Sequence, residues 1–168
     1  MLVEITDIDM EFIKKEADAR SRVKRLHRDK VPNKKIDQSR SDSDIDVSGV
    51  IAEYVVAKAF GIKLIPSTGT LRGDGGVYDL IFNDKLVQVK FSYYKTGKLV
   101  FVLREDFKAD IAILVVPKSD KVMRICGWIT RNDFVNKCKI NGAFFGHYPN
   151  AYVDQSDLKP IEEFIKGE

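Results

Sequence analysis

The chain has 168 residues, 44% of them hydrophobic and 32% charged, with a net charge of +3. That is the composition of one soluble globular domain with length enough for a core, and so small a positive excess does not by itself indicate a polyanionic partner. Cys126 and Cys138 offer neither a disulfide framework nor a zinc spacing, even with His147 counted; no run approaches the roughly 20 apolar residues of a membrane span; no secretory leader is visible. A cytoplasmic protein without membrane contact is expected.

Residues 7–30 read as one long helix with a thin apolar stripe of Met10, Ile13, Ala17, Val23 and Leu26, stopped by Pro32. Its far end is basic, with Arg20, Arg22, Lys24, Arg25 and Arg28. A solvated face is the plainer reading of such a run, and phosphate contact the functional one. Residues 1–35 are therefore expected to form an N-terminal basic helical extension. Residues 36–46, rich in Ser and Asp, read as a polar linker; they lack the glycine and closing glutamate of a calcium loop.

Residues 47–168 then make an α/β domain. It opens with a compact apolar helix from Val47, capped by Asp46 or Ser48 and stopped by Gly61. Glu53 lies inside it, with Gly49 and Ala57 on the same face. A carboxylate there needs a partner. Lys58 or Lys90 would make an ordinary ion pair, and a metal ion or a catalytic lysine would serve equally. The glycine-rich stretch 67–76 carries Arg72 and Asp74 but has neither a P-loop ending nor a dinucleotide fingerprint.

The stretch Val77–Ser92 reads as a hairpin about Asn83-Asp84, residues that tolerate the positive φ of a tight turn. Phe82 then pairs with Lys85, Ile81 with Leu86, Leu80 with Val87, Asp79 with Gln88 and Tyr78 with Val89. Alternation places Tyr78, Leu80, Phe82, Val87, Val89 and Phe91 on an apolar face. Asp79, Gln88 and Lys90 share the other, with Val77, Ile81 and Leu86. A half-exposed hairpin is the bland account of this pattern; a carboxylate, an amide and an ammonium converging on one patch is the functional one.

Tyr93, Tyr94, Lys95 and Lys98 surround a Thr96-Gly97 turn, an aromatic and basic rim that suits nucleic acid, although tyrosine is ordinary at a strand end. Leu99–Leu103 reads as a third strand and the apolar run Ile111–Val116 as a central strand buried on both faces. Val122–Ile125 continues the sheet. Thr130 with Asp133 caps a short helix to Lys137; Phe144, Phe145, His147 and Tyr148 fall in an irregular aromatic stretch. Pro160 opens a last helix through Ile165.

A helix with Glu53, a strand with Asp79 and a hairpin strand ending Gln88-Val89-Lys90 resemble, in that order, the PD-(D/E)XK nuclease superfamily of restriction endonucleases and Holliday-junction resolvases. The match covers residues 47 to 116. Tyr78 stands where the name-giving proline would be, and Gln88 where the usual acid would be. The resemblance implies a restriction-endonuclease-like core, a central mixed β-sheet flanked by helices. It also implies a divalent-metal-dependent DNA nuclease, with structure-specific, resolvase-like cleavage compatible with the family. Asp79, Gln88, Lys90 and Glu53 would be catalytic; Asp79, Glu53 and Gln88 would hold Mg²⁺ or Mn²⁺. DNA is the implied partner, met by Arg20, Arg22, Lys24, Arg25, Arg28, Arg72, Tyr93, Tyr94, Lys95 and Lys98, and a homodimer is compatible with the family. Two alternatives stand beside this: a catalytically silent nuclease-like domain that binds DNA or protein, and an unrelated α/β domain.

Overall fold

The computed structural model describes residues 1–26, 41–64, 77–102, 106–142 and 149–167. In chain order its elements are β1 (Leu2–Glu4), α1 (Asp7–Leu26), α2 (Asp42–Ala59), β2 (Leu80–Phe82), β3 (Lys85–Phe91), β4 (Leu99–Phe101), β5 (Ile111–Ser119), β6 (Val122–Thr130), α3 (Arg131–Lys137), β7 (Lys139–Asn141), β8 (Asn150–Val153) and α4 (Ile161–Lys166). The fold is α/β. Its main sheet is mixed and runs β1-β6-β5-β3-β2, with β3 and β5 parallel and the other neighbours antiparallel. A second, antiparallel sheet runs β4-β8-β7. No helix among the described residues is long and apolar enough to cross a membrane.

The β2–β3 hairpin has the expected register, Leu80 opposite Val87, Ile81 opposite Leu86 and Phe82 opposite Lys85. Asn83 and Asp84 take φ of 50° and 59°, the left-handed values of the turn type whose twist matches that of the strands. Strand β5 is buried from Ile111 to Val116 and pairs on both sides, as a continuous apolar run requires. The caps at Thr130, which accepts from the Asp133 N–H at 3.0 Å, and at Gly61, with φ of 66°, also stand as expected. Alternation along β3 and β5 divides the core in two. Val87, Val89, Ile111, Ile113 and Val115 face α1, α2 and α4. Leu86, Ala112, Leu114 and Val116 face the second sheet and α3.

Four expectations change. The polar stretch before residue 47 is partly helix: α2 begins at Asp42, because the Ser41 hydroxyl caps it by accepting the Asp44 N–H at 3.1 Å, and acids in a first turn suit the helix dipole. Residues 36–40 of the expected linker lie outside the described residues. Residues 1–26 are not an appended arm, since β1 is an edge strand of the main sheet and Ile13, Ala17 and Val23 of α1 are buried. Leu99 starts a strand of the second sheet, not the third strand of the main one. The turn closed by the Gly97 N–H on Tyr94 O reverses the chain, and the buried pair Leu99 and Phe101 then meets Val153 and Ala151. Tyr78 packs with Leu86 on the second-sheet side rather than with Leu80, because the regular ladder ends at Leu80.

Candidate active site on the hairpin strand

Gln88 and Lys90 alternate with Val87 and Val89, so they face the second sheet, opposite Ala112 and Leu114 of β5. Gln88 is 8% exposed, and its Oε1 is buried with no hydrogen-bond partner. Lys90 is half-buried and lays its Nζ 4.7 Å from the centroid of the Phe101 ring. Burial pushes the ammonium below its ordinary pKa, while the charges of Asp79 and Asp106 work in the opposite direction. Asp106 therefore belongs to the electrostatics of this site, and the sequence offered no periodic signal for it. It sits in the connection between β4 and β5, and only the fold brings it to β3.

Asp79 does not simply continue the alternation. Its Oδ2 accepts the Val89 N–H at 2.7 Å, and its own N–H donates to Val87 O at 2.8 Å. The side chain thus takes over a ladder bond just before β2 begins, and the backbone of β3 fixes the carboxylate. Gln88 and Lys90 thus share one face of β3, and Asp79 is tied to the backbone of that strand at Val89.

Glu53 is elsewhere. The helix that carries it packs on the Val87 face of β3, the side opposite Gln88 and Lys90. Its two oxygens accept from Arg20 Nη1 and Nη2, both at 2.6 Å, and Arg20 Nε donates to Glu16 Oε1 at 2.9 Å. The partner expected from Lys58 or Lys90 is therefore Arg20, three turns along α1 from its start. Lys58 instead meets Asp9 Oδ2 at 2.7 Å and Glu4 O at 2.9 Å. Although burial opposes it, the hydrogen bonds and charge of Glu53, reinforced by Glu16, hold the Arg20 guanidinium above its usual pKa. The Glu16–Arg20 spacing of one helical turn, beside buried Ile13 and Ala17, was the sequence signal for this inward arginine.

The residues expected to meet DNA are divided. Arg20 is a buried-pair residue, not part of an exposed arm. Arg22 is exposed on α1, which also carries Lys24 and Arg25 in its last turns. Arg28 and Arg72 lie outside the described residues, as do Asp74 and His147. Tyr93 turns inward, its hydroxyl donating to Ser48 Oγ at 2.8 Å and lying 3.0 Å from Asp44 O. Tyr94, 67% exposed, and Lys95 face outward. Lys98 pairs with Asp154 at 3.2 Å and lies over the Tyr152 ring.

No protein-family model, curated protein or solved structure matches the chain. Among the described residues, no group of three or more His, Cys, Asp or Glu side chains could hold a metal ion.

Proposed function

We propose that this chain is a divalent-metal-dependent DNA nuclease with a restriction-endonuclease-like core, working through Asp79, Gln88 and Lys90. The observation that carries the reading is the buried, unpartnered Oε1 of Gln88, two residues from Lys90 on the same face. Leaving such a group unsatisfied costs about 1–3 kcal/mol. A ligand that binds the oxygen in the working state would offset that cost. Mg²⁺ and Mn²⁺ take oxygen donors, and one or two carboxylates suffice for Mg²⁺. Asp79 and the Gln88 carbonyl fit that demand; Glu53, committed to Arg20, does not in this state.

When bound, the cation would supply charge neutralisation at the scissile phosphate and a more acidic water. The chain's own residues do the rest. Asp79 is held by the Val89 N–H, so its carboxylate is oriented before any substrate arrives. Lys90 brings a partly desolvated ammonium to the same strand, suited to stabilise charge on phosphate oxygens. Arg22, Tyr94 and Lys95 offer outward groups for the backbone and bases.

A second reading, a catalytically silent DNA- or protein-binding module, is favoured by the bidentate hold of Arg20 on Glu53. One experiment separates the two: cleavage of duplex, single-stranded, flap and four-way-junction DNA in Mg²⁺ or Mn²⁺, with Lys90→Ala alongside. Metal-dependent cutting that Lys90→Ala abolishes supports the nuclease. Binding without cutting leaves the module, and cutting at the wild-type rate by Lys90→Ala refutes the site.

A further inference from the structure

Lys90 carries its ammonium on a flexible stem that loses freedom when the head is fixed. Among the described residues neither a hydrogen bond nor an ion pair fixes it. What lies beneath the ammonium is the ring of Phe101, its centroid 4.7 Å from Nζ. That ring is itself held on several sides. Phe107 stacks on it with centroids 4.8 Å apart and planes 9° from parallel, and Phe134 meets it edge-on at 5.1 Å. Phe134 also meets Phe107 edge-on, at 5.4 Å, and all three side chains are buried. The rings come from β4, the β4–β5 connection and α3. The second sheet and α3, not β3, therefore set the surface on which the Lys90 head rests.

We propose that Phe101 is a positioning residue for Lys90: the face of its ring holds the ammonium in place and leaves its N–H donors uncommitted. The proposal rests on the nuclease reading for the task that Lys90 performs. A phenyl face is negative by its quadrupole and attracts a cation. A carboxylate in the same place would take up donors of the ammonium and oppose its charge. The ring does neither, so it orders the lysine and keeps those donors for phosphate oxygens.

The test is the reactivity of the Lys90 amine in the full chain without metal. It is read by mass spectrometry as acetylation by acetic anhydride relative to exposed Lys85. Phe101→Leu removes the ring and should speed acetylation of Lys90 by about two- to thirtyfold, the span of cation–ring contacts from exposed to desolvated. Because Phe101→Leu also disturbs the core, pentafluorophenylalanine at 101 is the second variant. Fluorination reverses the sign of the ring face while keeping a flat ring that stacks on Phe107, so it should speed acetylation too. Pentafluorophenylalanine at 107 preserves the stack and leaves the ring beneath Lys90 as it was, and its rate should match wild type within about twofold. A wild-type rate with pentafluorophenylalanine at 101, or an equal rise with it at 107, overturns the proposal. Cleavage is measured separately in Mg²⁺. There kcat should fall in both 101 variants while KM holds, and an unchanged kcat where Lys90 reactivity has risen overturns the positioning role. Wild type that cuts no DNA refutes the nuclease reading, and the acetylation ratio still decides whether the ring holds Lys90.

Discussion

Replacing Arg20 with Met tests whether the α1–α2 interface depends on this ion pair. The guanidinium donates to both Glu53 oxygens at 2.6 Å. The Arg20 and Glu53 side chains are 18% and 7% exposed. Removing one partner of a buried pair leaves a charge without compensation and costs about 3–5 kcal/mol. In a chain of this size each kcal/mol moves the melting temperature by about 2–4 °C, so Arg20→Met should melt roughly 6–20 °C below wild type. Removing both charges behaves differently, because an apolar pair of similar volume is often neutral or stabilising by comparison. Arg20→Met/Glu53→Met should therefore recover most of the loss. Urea unfolding of wild type, both single variants and the double variant closes a thermodynamic cycle. An Arg20→Met protein within about 1 kcal/mol of wild type, or a double variant that loses as much as the two single variants added together, would refute the argument; additive losses mean that the pair contributes no coupling. If Arg20 instead served mainly to contact phosphate, the substitution would weaken DNA binding and leave stability unchanged.

Asp79→Ala should abolish cleavage and also cost about 1–3 kcal/mol, because the Val89 N–H loses its acceptor; Asp79→Asn keeps an acceptor oxygen, so urea midpoints should separate the two variants while both remain inactive. Tyr54 is pushed up to about 12 by its hydrogen bond to Asp9 and by burial, against an ordinary value of 10.0. Its contribution is complete below pH 10.0 and is lost as the pH rises towards 12, so wild type should lose stability over that window and Tyr54→Phe should lose less. Gln88→Glu places a carboxylate in a site only 8% exposed; it should lower the melting temperature without metal and make it rise more steeply with added Mg²⁺ than wild type does, and parallel curves would remove residue 88 from the cation's neighbourhood.

The hairpin was legible because its information is local. A two-residue turn with left-handed φ at Asn83 and Asp84 sets the register of every pair after it. The inward pattern of β5 and the caps at Thr130 and Gly61 were legible for the same reason. What escaped depended on distant partners. Leu99–Phe101 has the alternation of any half-buried strand, and nothing in those residues says that their neighbour is Asn150–Val153 and not the preceding hairpin. Glu53 was recognisable as a carboxylate needing a partner, but Arg20 reaches it from another helix, and its basic neighbours made it read as part of an exposed run. Tyr78 was misplaced because alternation was carried past Leu80, where Asp79 replaces a backbone bond with a side-chain one. Asp106 carries no local pattern; it adjoins Phe107, whose ring stacks on Phe101 beneath Lys90.

The position of β1 constrains the order in which this chain becomes structured. As the polypeptide is synthesised, Leu2–Glu4 emerges long before the strand that receives it, residues 122–124 of β6, which follows more than a hundred residues later. The β2–β3 hairpin closes early, on the microsecond scale of such elements. The parallel partner β5 joins only after the whole β4 excursion has been made. Between the appearance of β5 and that of β6, the run Ile111–Val116 presents a bare edge rich in β-branched residues, the kind that templates association between chains. A chain ended at Lys121 should therefore scatter light as aggregates where the full chain stays monodisperse, and a clear, folded truncation would show that β5 is shielded by something other than β6.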